Sequence, residues 1–244
     1  LKRQLSLVGL TLAVTLSTSV LALERKDVVN RLSQIPVFAL INEKGSPILV
    51  SPKNDPSKAQ YATFFLQPQE AENFQNLLKR SDPKLAKTVQ LRALPLSLAL
   101  QFAEDQKDKK PPVRVDIVPH KPSMDYALTL AKQMSKEVKT FPGVPVFALT
   151  DLKGSQVISV RRDGKGSPSQ LYFFDEDDAK QFFATLKKSN PKLAQATRIS
   201  AAPFQNLFDG MLKIQKPAEA DQIVLVAPTA SLQYAKKINP APAK

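Results

Sequence analysis

The 244 residues carry 35 basic and 22 acidic side chains, one histidine and no cysteine. Disulfides, thiol nucleophiles, zinc ribbons and any multi-histidine metal site within one chain are excluded, and a histidine-dependent triad is conceivable only around His120. The net charge of +13 does not single out nucleic acid as a partner: residues 23–134 hold 17 basic and 12 acidic side chains, residues 135–244 hold 16 and 10, and no basic tail stands out.

The chain opens with Lys2 and Arg3, an apolar run from Leu5 to Leu16, then Ser17-Thr18-Ser19 and Val20-Leu21-Ala22. This is the order of a secretory signal, with small residues where a signal peptidase cuts. Thr11 and Thr15 dilute the run, which is barely long enough for a membrane anchor. The expectation is an exported, soluble mature chain beginning near Leu23.

The remainder is a tandem repeat. Ile35-Pro36-Val37-Phe38-Ala39-Leu40 returns as Val144-Pro145-Val146-Phe147-Ala148-Leu149, and Lys44-Gly45-Ser46 as Lys153-Gly154-Ser155. Ser81-Asp82-Pro83-Lys84-Leu85-Ala86 matches Ser189-Asn190-Pro191-Lys192-Leu193-Ala194, and Ser123-Met124-Asp125-Tyr126-Ala127 matches Ser231-Leu232-Gln233-Tyr234-Ala235. The expected division is a signal over 1–22, repeats over 23–122 and 144–239, a linking helix over 123–143 and a disordered tail over 240–244.

Within each copy the elements follow in order. Pro36 to Ile41 and Val146 to Thr150 read as short buried strands, each before a glycine turn. Return strands over Ile48 to Ser51 and Val157 to Val160 are expected next, then strands over Ala62 to Leu66 and Leu171 to Phe174. Ala71, Phe74, Leu77 and Leu78 have helical spacing, as do Ala179, Phe182, Phe183 and Leu186. Asp82-Pro83 and Asn190-Pro191 stop those helices behind basic last turns. Strands near Val89 to Leu91 and Thr197 to Ile199 lead to helices starting at Pro95 and Pro203. Val113 to Val118 and Ile223 to Val226 close the sheets. A helix from Ser123 to about Thr140 joins two pseudo-twofold lobes, and a shorter one follows Ser231. Hairpin-like strands ahead of helices define an α+β fold, each lobe a small, mainly antiparallel sheet with packed helices.

Chemistry-bearing motifs are few. His120, in Pro119-His120-Lys121-Pro122, reads as an exposed loop residue. Asp175-Glu176-Asp177-Asp178 reads as a helix cap with a carboxylate-rich first turn, lacking the spaced oxygens of a calcium loop. Arg161-Arg162-Asp163-Gly164-Lys165-Gly166 lacks the phosphate-loop spacing and reads as a hairpin tip. No catalytic residue, metal site or cofactor is selected, and the chain is expected not to be an enzyme.

One feature exceeds ordinary patterning. Leu94, Leu96, Leu98, Ala99, Leu100, Phe102 and Ala103 make the first-copy helix around Pro95 apolar nearly all round, so it must be covered on more than one side. Burial between a sheet and the neighbouring lobe is one outcome; an apolar groove for a partner segment is the other. The candidate polypeptide-binding residues are Leu96, Leu100, Phe102, Phe204, Leu207, Phe208 and Met211, since methionine and phenylalanine adapt to unlike clients.

The duplicated Pro-Val-Phe-Ala-Leu strand, the Ser-(Asp/Asn)-Pro-Lys-Leu-Ala element and the Ser-x-x-Tyr-Ala helix start together resemble the twenty-two-kilodalton soluble component of the translocon at the inner chloroplast envelope and its cyanobacterial relatives. The signal-like start is similar to a cyanobacterial member rather than to a plastid one. The resemblance implies a non-enzymatic escort of unfolded or outer-membrane-bound polypeptides through the space between two membranes, in support of outer-membrane biogenesis. It implies a periplasmic location, with the thylakoid lumen as alternative. An outer-membrane β-barrel assembly protein is a further implied partner, and peripheral membrane contact is compatible. Two other classes stay open: a stable adaptor docked on a membrane assembly or translocation machine, and an enzyme or small-ligand protein using His120 or a Ser-Lys pair.

Overall fold

The computed structural model describes residues 24–51, 59–161 and 167–239. The expected signal, the 240–244 tail and most of the 161–166 hairpin tip lie outside the described residues. Two mixed sheets carry the fold. In the first, β1 (Pro36–Asn42) lies between β2 (Gln60–Phe65) and β3 (Val89–Pro95), with β4 (Val113–Val118) beside β2. In the second, β5 (Pro145–Asp151) lies between β7 (Ser169–Phe173) and β8 (Thr197–Pro203). There β7 also pairs with the two-residue β6 (Ser159–Val160) and with β9 (Ile223–Val226).

The sheets share a register. Phe38 faces Ala93 across an antiparallel pair as Phe147 faces Ala201, while β2–β4 and β7–β9 run parallel. Every residue from Pro36 to Ile41 and from Pro145 to Thr150 is buried. A central strand covered on both faces reads as an unbroken apolar run rather than an alternation, which is why these segments stood out.

The helices explain the second repeated motif. Helices α2 (Pro68–Ser81) and α6 (Glu176–Ser189) end at Asp82 and Asn190. The same two side chains then accept hydrogen bonds from the amides of Leu85 and Leu193, capping the single-turn helices α3 (Pro83–Ala86) and α7 (Pro191–Gln195). One short polar residue thus ends one helix and starts the next, with proline at the first helical position where its missing N–H costs nothing.

Between the sheets lies a shared core. It contains α1 (Arg25–Asn30) with a following 3-10 turn (Arg31–Gln34), α4 (Leu96–Gln106) and α8 (Phe204–Leu212). Val37, Ala39 and Phe64 of the first sheet and Val146 and Leu225 of the second belong to this one cluster. Arg31 fastens the N-terminal segment to the second half through Asp221, 2.7 Å away, and the Ala220 carbonyl.

The outer faces are covered by exchange. Helix α5 (Lys121–Met134) follows the first sheet in the chain yet packs on β5, β8 and α6 of the second. Helix α10 (Thr229–Ile238) follows the second sheet yet packs on β1, β3 and α2 of the first. The third motif serves this exchange: Tyr234 meets Phe38 edge-on at 5.5 Å, and Tyr126 meets Phe147 at 5.7 Å.

Three expectations are corrected, and two short helices are new. The linking helix stops at Met134, not near Thr140: Met134 is already exposed, and so are Ser135, Lys136 and Glu137 after it, so another turn would bury nothing. The return strands shrink to isolated bridges at Pro47, Val50 and Val157 and to the short β6. Leu77 points to solvent rather than joining its helix's apolar face. The short helices α1 and α9 (Pro217–Ala220) went unforeseen, since one or two turns give too little periodicity to register.

Candidate functional site

The seven candidate binding residues separate into two groups. Leu96, Phe204, Leu207, Phe208 and Met211 are buried in the core between the sheets, Leu96 and Met211 at 1% exposure and Phe208 at 3%. Their apolar excess is spent on that core, so four of them present no surface to a partner; Phe204 alone also reaches a groove wall. Leu100 and Phe102 are half-buried. Phe102 packs against Phe64 and borders a cleft with Ile48, Leu49 and Leu85.

Leu100 is the residue that opens a site. It lines an apolar groove of about 600 Å³ together with Ala103 of α4, Val115 and Ile117 of β4, and Pro203 and Phe204 at the start of α8. Pro142, Gly143 and Val144, the approach to β5, complete the wall. Gly143 takes φ 72°, a left-handed turn open to glycine without a Cβ penalty, and so steers the chain past the groove. Both halves of the chain contribute, one through α4 and β4 and the other through β5 and α8. Gln205 and Asn206 stand at the rim as the polar groups. Sequence reasoning missed Val115 and Ile117, although their two-residue spacing on β4 was the available signal. Among the described residues β4 pairs with β2 alone, so it is an edge strand of its sheet.

A second region, lined by Gln67, Glu72, His120, Asp175 and Tyr234 among others, is polar. Here the exchanged helices are tied down. Ser231 donates to the Leu66 carbonyl at 2.6 Å, Ser123 donates to Glu176 Oε2 at 2.5 Å, and Gln67 Nε2 donates to Asp175 Oδ2 at 2.8 Å. Asp175 caps α6 as expected, accepting from the amides of Asp177 and Asp178. Burial, and then the neighbouring Glu176 charge, hold its carboxyl above the usual carboxylate range.

His120 corrects its expectation. Its side chain is only 27% exposed, with Asp175 Oδ2 at 3.5 Å and Glu176 Oε2 at 3.9 Å from Nδ1, and Glu70 Oε1 at 3.9 Å from Nε2. The loop that holds it is pinned where α5 leaves for the second sheet, so the imidazole is drawn in among carboxylates.

Tyr234 gives a pH prediction. Its phenol donates to Glu72 Oε1, and that hydrogen bond, aided by burial and the Glu72 charge, pushes its pKa up to about 12. A folded-state pKa above the unfolded value near 10 means stabilisation present below about pH 10 and lost as pH rises toward about 12. Melting temperatures of wild type and Tyr234→Phe should therefore converge across that window. A constant gap through pH 12 would refute the linkage.

A two-sheet α+β fold with an apolar groove where its halves meet and no helix, among the described residues, long and apolar enough to cross a membrane defines the class of protein. The chain belongs to the Tic22-like family, which it matches over residues 5–238. Tic22 of Anabaena, described as a protein-transport protein, has the same fold: TM-score 0.73 at 21% identity, covering 91% of this chain and all of that one (100%). Tic22 from Plasmodium falciparum superposes with TM-score 0.64 at 22% identity, covering 87% of this chain and 97% of that one. No curated protein sequence gives a significant match.

Proposed function

We propose that this protein escorts polypeptides between two membranes, in support of outer-membrane protein biogenesis, and holds extended apolar segments in the groove lined by Leu100. The protein-transport description of the Anabaena relative supports the general role. The observation that carries the specific one is the groove itself, walled by Leu100, Val115, Ile117 and Phe204 with few polar groups. A groove with so few hydrogen-bonding groups discriminates weakly, which suits unlike clients. The neighbouring edge of β4 offers backbone groups that an extended segment can pair with.

The test is aggregation suppression of an unfolded outer-membrane β-barrel protein. Wild type should protect it, and Leu100→Asp should lose most of that protection while melting within a few degrees of wild type. A carboxylate at the half-buried site can reach water in the free protein but not under a bound apolar segment. No protection by wild type, with no crosslink to unfolded chains, sinks the escort reading in favour of a stable adaptor.

A further inference from the structure

We propose that His120, Asp175 and Glu176 form a binding site for a divalent cation of the zinc type, with Glu70 orienting the imidazole from behind. The three ligand atoms, one from each residue, all lie within 4.8 Å of one another. His120 Nδ1 stands 3.5 Å from Asp175 Oδ2 and 3.9 Å from Glu176 Oε2. Ligands about 2.0–2.1 Å from a tetrahedral ion are about 3.3 Å apart, so movements of about 1 Å would close the set around one ion and leave a fourth position for water.

The spacing fits an ion better than a hydrogen bond. A charged imidazole donating to a carboxylate would sit at about 2.7–2.9 Å. Nδ1 is instead buried and makes no hydrogen bond. The carboxylate oxygens it faces already accept from protein donors: Asp175 Oδ2 from Gln67, and Glu176 Oε2 from Ser123. Those bonds fix the ligands in place, as outer partners do around a metal. On the far side of the ring, Glu70 Oε1 lies 3.9 Å from Nε2 and Glu70 Oε2 is buried without a hydrogen bond. A shift of about 1 Å would let this carboxylate, which now accepts from the Lys121 amide at 3.4 Å, accept from Nε2–H and select the tautomer that leaves Nδ1 free for a metal.

Charge points the same way. Glu70, Asp175 and Glu176 gather around one imidazole, Asp177 and Asp178 follow in the same turn, and Lys180 lies 3.8 Å from the other oxygen of Glu176 and 3.3 Å from Asp177. An imidazole nitrogen with two carboxylates suits zinc, whereas calcium takes six to eight oxygens. The set also spans the crossing point: Glu70 is on α2, His120 precedes α5, and Asp175 and Glu176 open α6. A bound ion would pin the strap that carries the chain from one sheet to the other.

Because the chain has one histidine, the site can be read directly. Processed protein without an affinity tag should bind one Zn²⁺ by calorimetry, raise its melting temperature, and shift the ring resonances of its sole imidazole. His120→Ala should weaken binding at least about 100-fold, Asp175→Asn, which keeps the helix cap, by a similar factor, and Glu70→Gln about tenfold. Co²⁺ should give the visible bands of a tetrahedral N/O site. Unmoved imidazole resonances at saturating Zn²⁺, full binding by His120→Ala, or equal affinity for Ca²⁺ would each overturn the proposal. The imidazole readout needs no variant, so it stands even where a substitution fails to fold.

Discussion

Phe208→Ala should cost about 3–5 kcal/mol of stability, a large part of the 5–15 kcal/mol typical of a domain. Phe208 is buried among Phe204, Met211 and the helices lodged between the two sheets, and its ring packs on Phe204 at 5.9 Å. Truncation leaves a cavity in a cluster that both sheets share, and it removes the face on which the Arg25 guanidinium rests at 5.2 Å. Chemical denaturation should show one transition moved to lower denaturant, because the cluster between the sheets draws residues from both of them. Loss of stability confined to one sheet, read by hydrogen exchange, would contradict the shared core. Phe208→Asp would be worse, since an ionised carboxylate there has no water to reach. Of the expected binding positions, Leu100 is therefore the one whose charge variant separates binding from folding.

The same contrast marks how far the sequence was legible. An apolar helix surface says that a helix must be covered on more than one side; it does not say by what. Leu96 and Phe208 are buried in the cluster between the sheets, while Leu100, only four residues beyond Leu96, met a groove. Local signals did better. Asp82 and Asn190 announced a helix end through proline and a short polar side chain, and Asp175 announced a cap, because these interactions close within a few residues. His120 could not be placed this way. Its surroundings come from α2 and α6, 50 and more residues away in sequence, and the loop Pro119-His120-Lys121-Pro122 carries no trace of them. The burial of Ser123 and Ser231 was invisible for the same reason, since their hydroxyls find their partners, Glu176 and the Leu66 carbonyl, 53 and 165 residues away.

The exchange of α5 and α10 yields a crossed pair of expected results. Tyr234→Ala, near the C-terminus, should loosen the N-terminal sheet; Tyr126→Ala should loosen the C-terminal one. Tyr234 lies edge-on to Phe38 and donates to Glu72 of α2, so its loss uncovers the outer face of β1 beside Phe65 and Ala71. Tyr126 lies on Phe147 with Lys180 over its ring at 4.5 Å, so its loss uncovers the outer face of β5. For half-buried rings each substitution should cost about 2 kcal/mol. Hydrogen exchange resolves the location: Tyr234→Ala should speed exchange in β1 and β3 before β5 and β8, and Tyr126→Ala the reverse. If each helix instead served the sheet that precedes it in the chain, the two patterns would swap. Each Ser-x-x-Tyr-Ala tyrosine therefore meets a Pro-Val-Phe-Ala-Leu phenylalanine of the sheet its helix crosses to, Tyr234 on Phe38 and Tyr126 on Phe147.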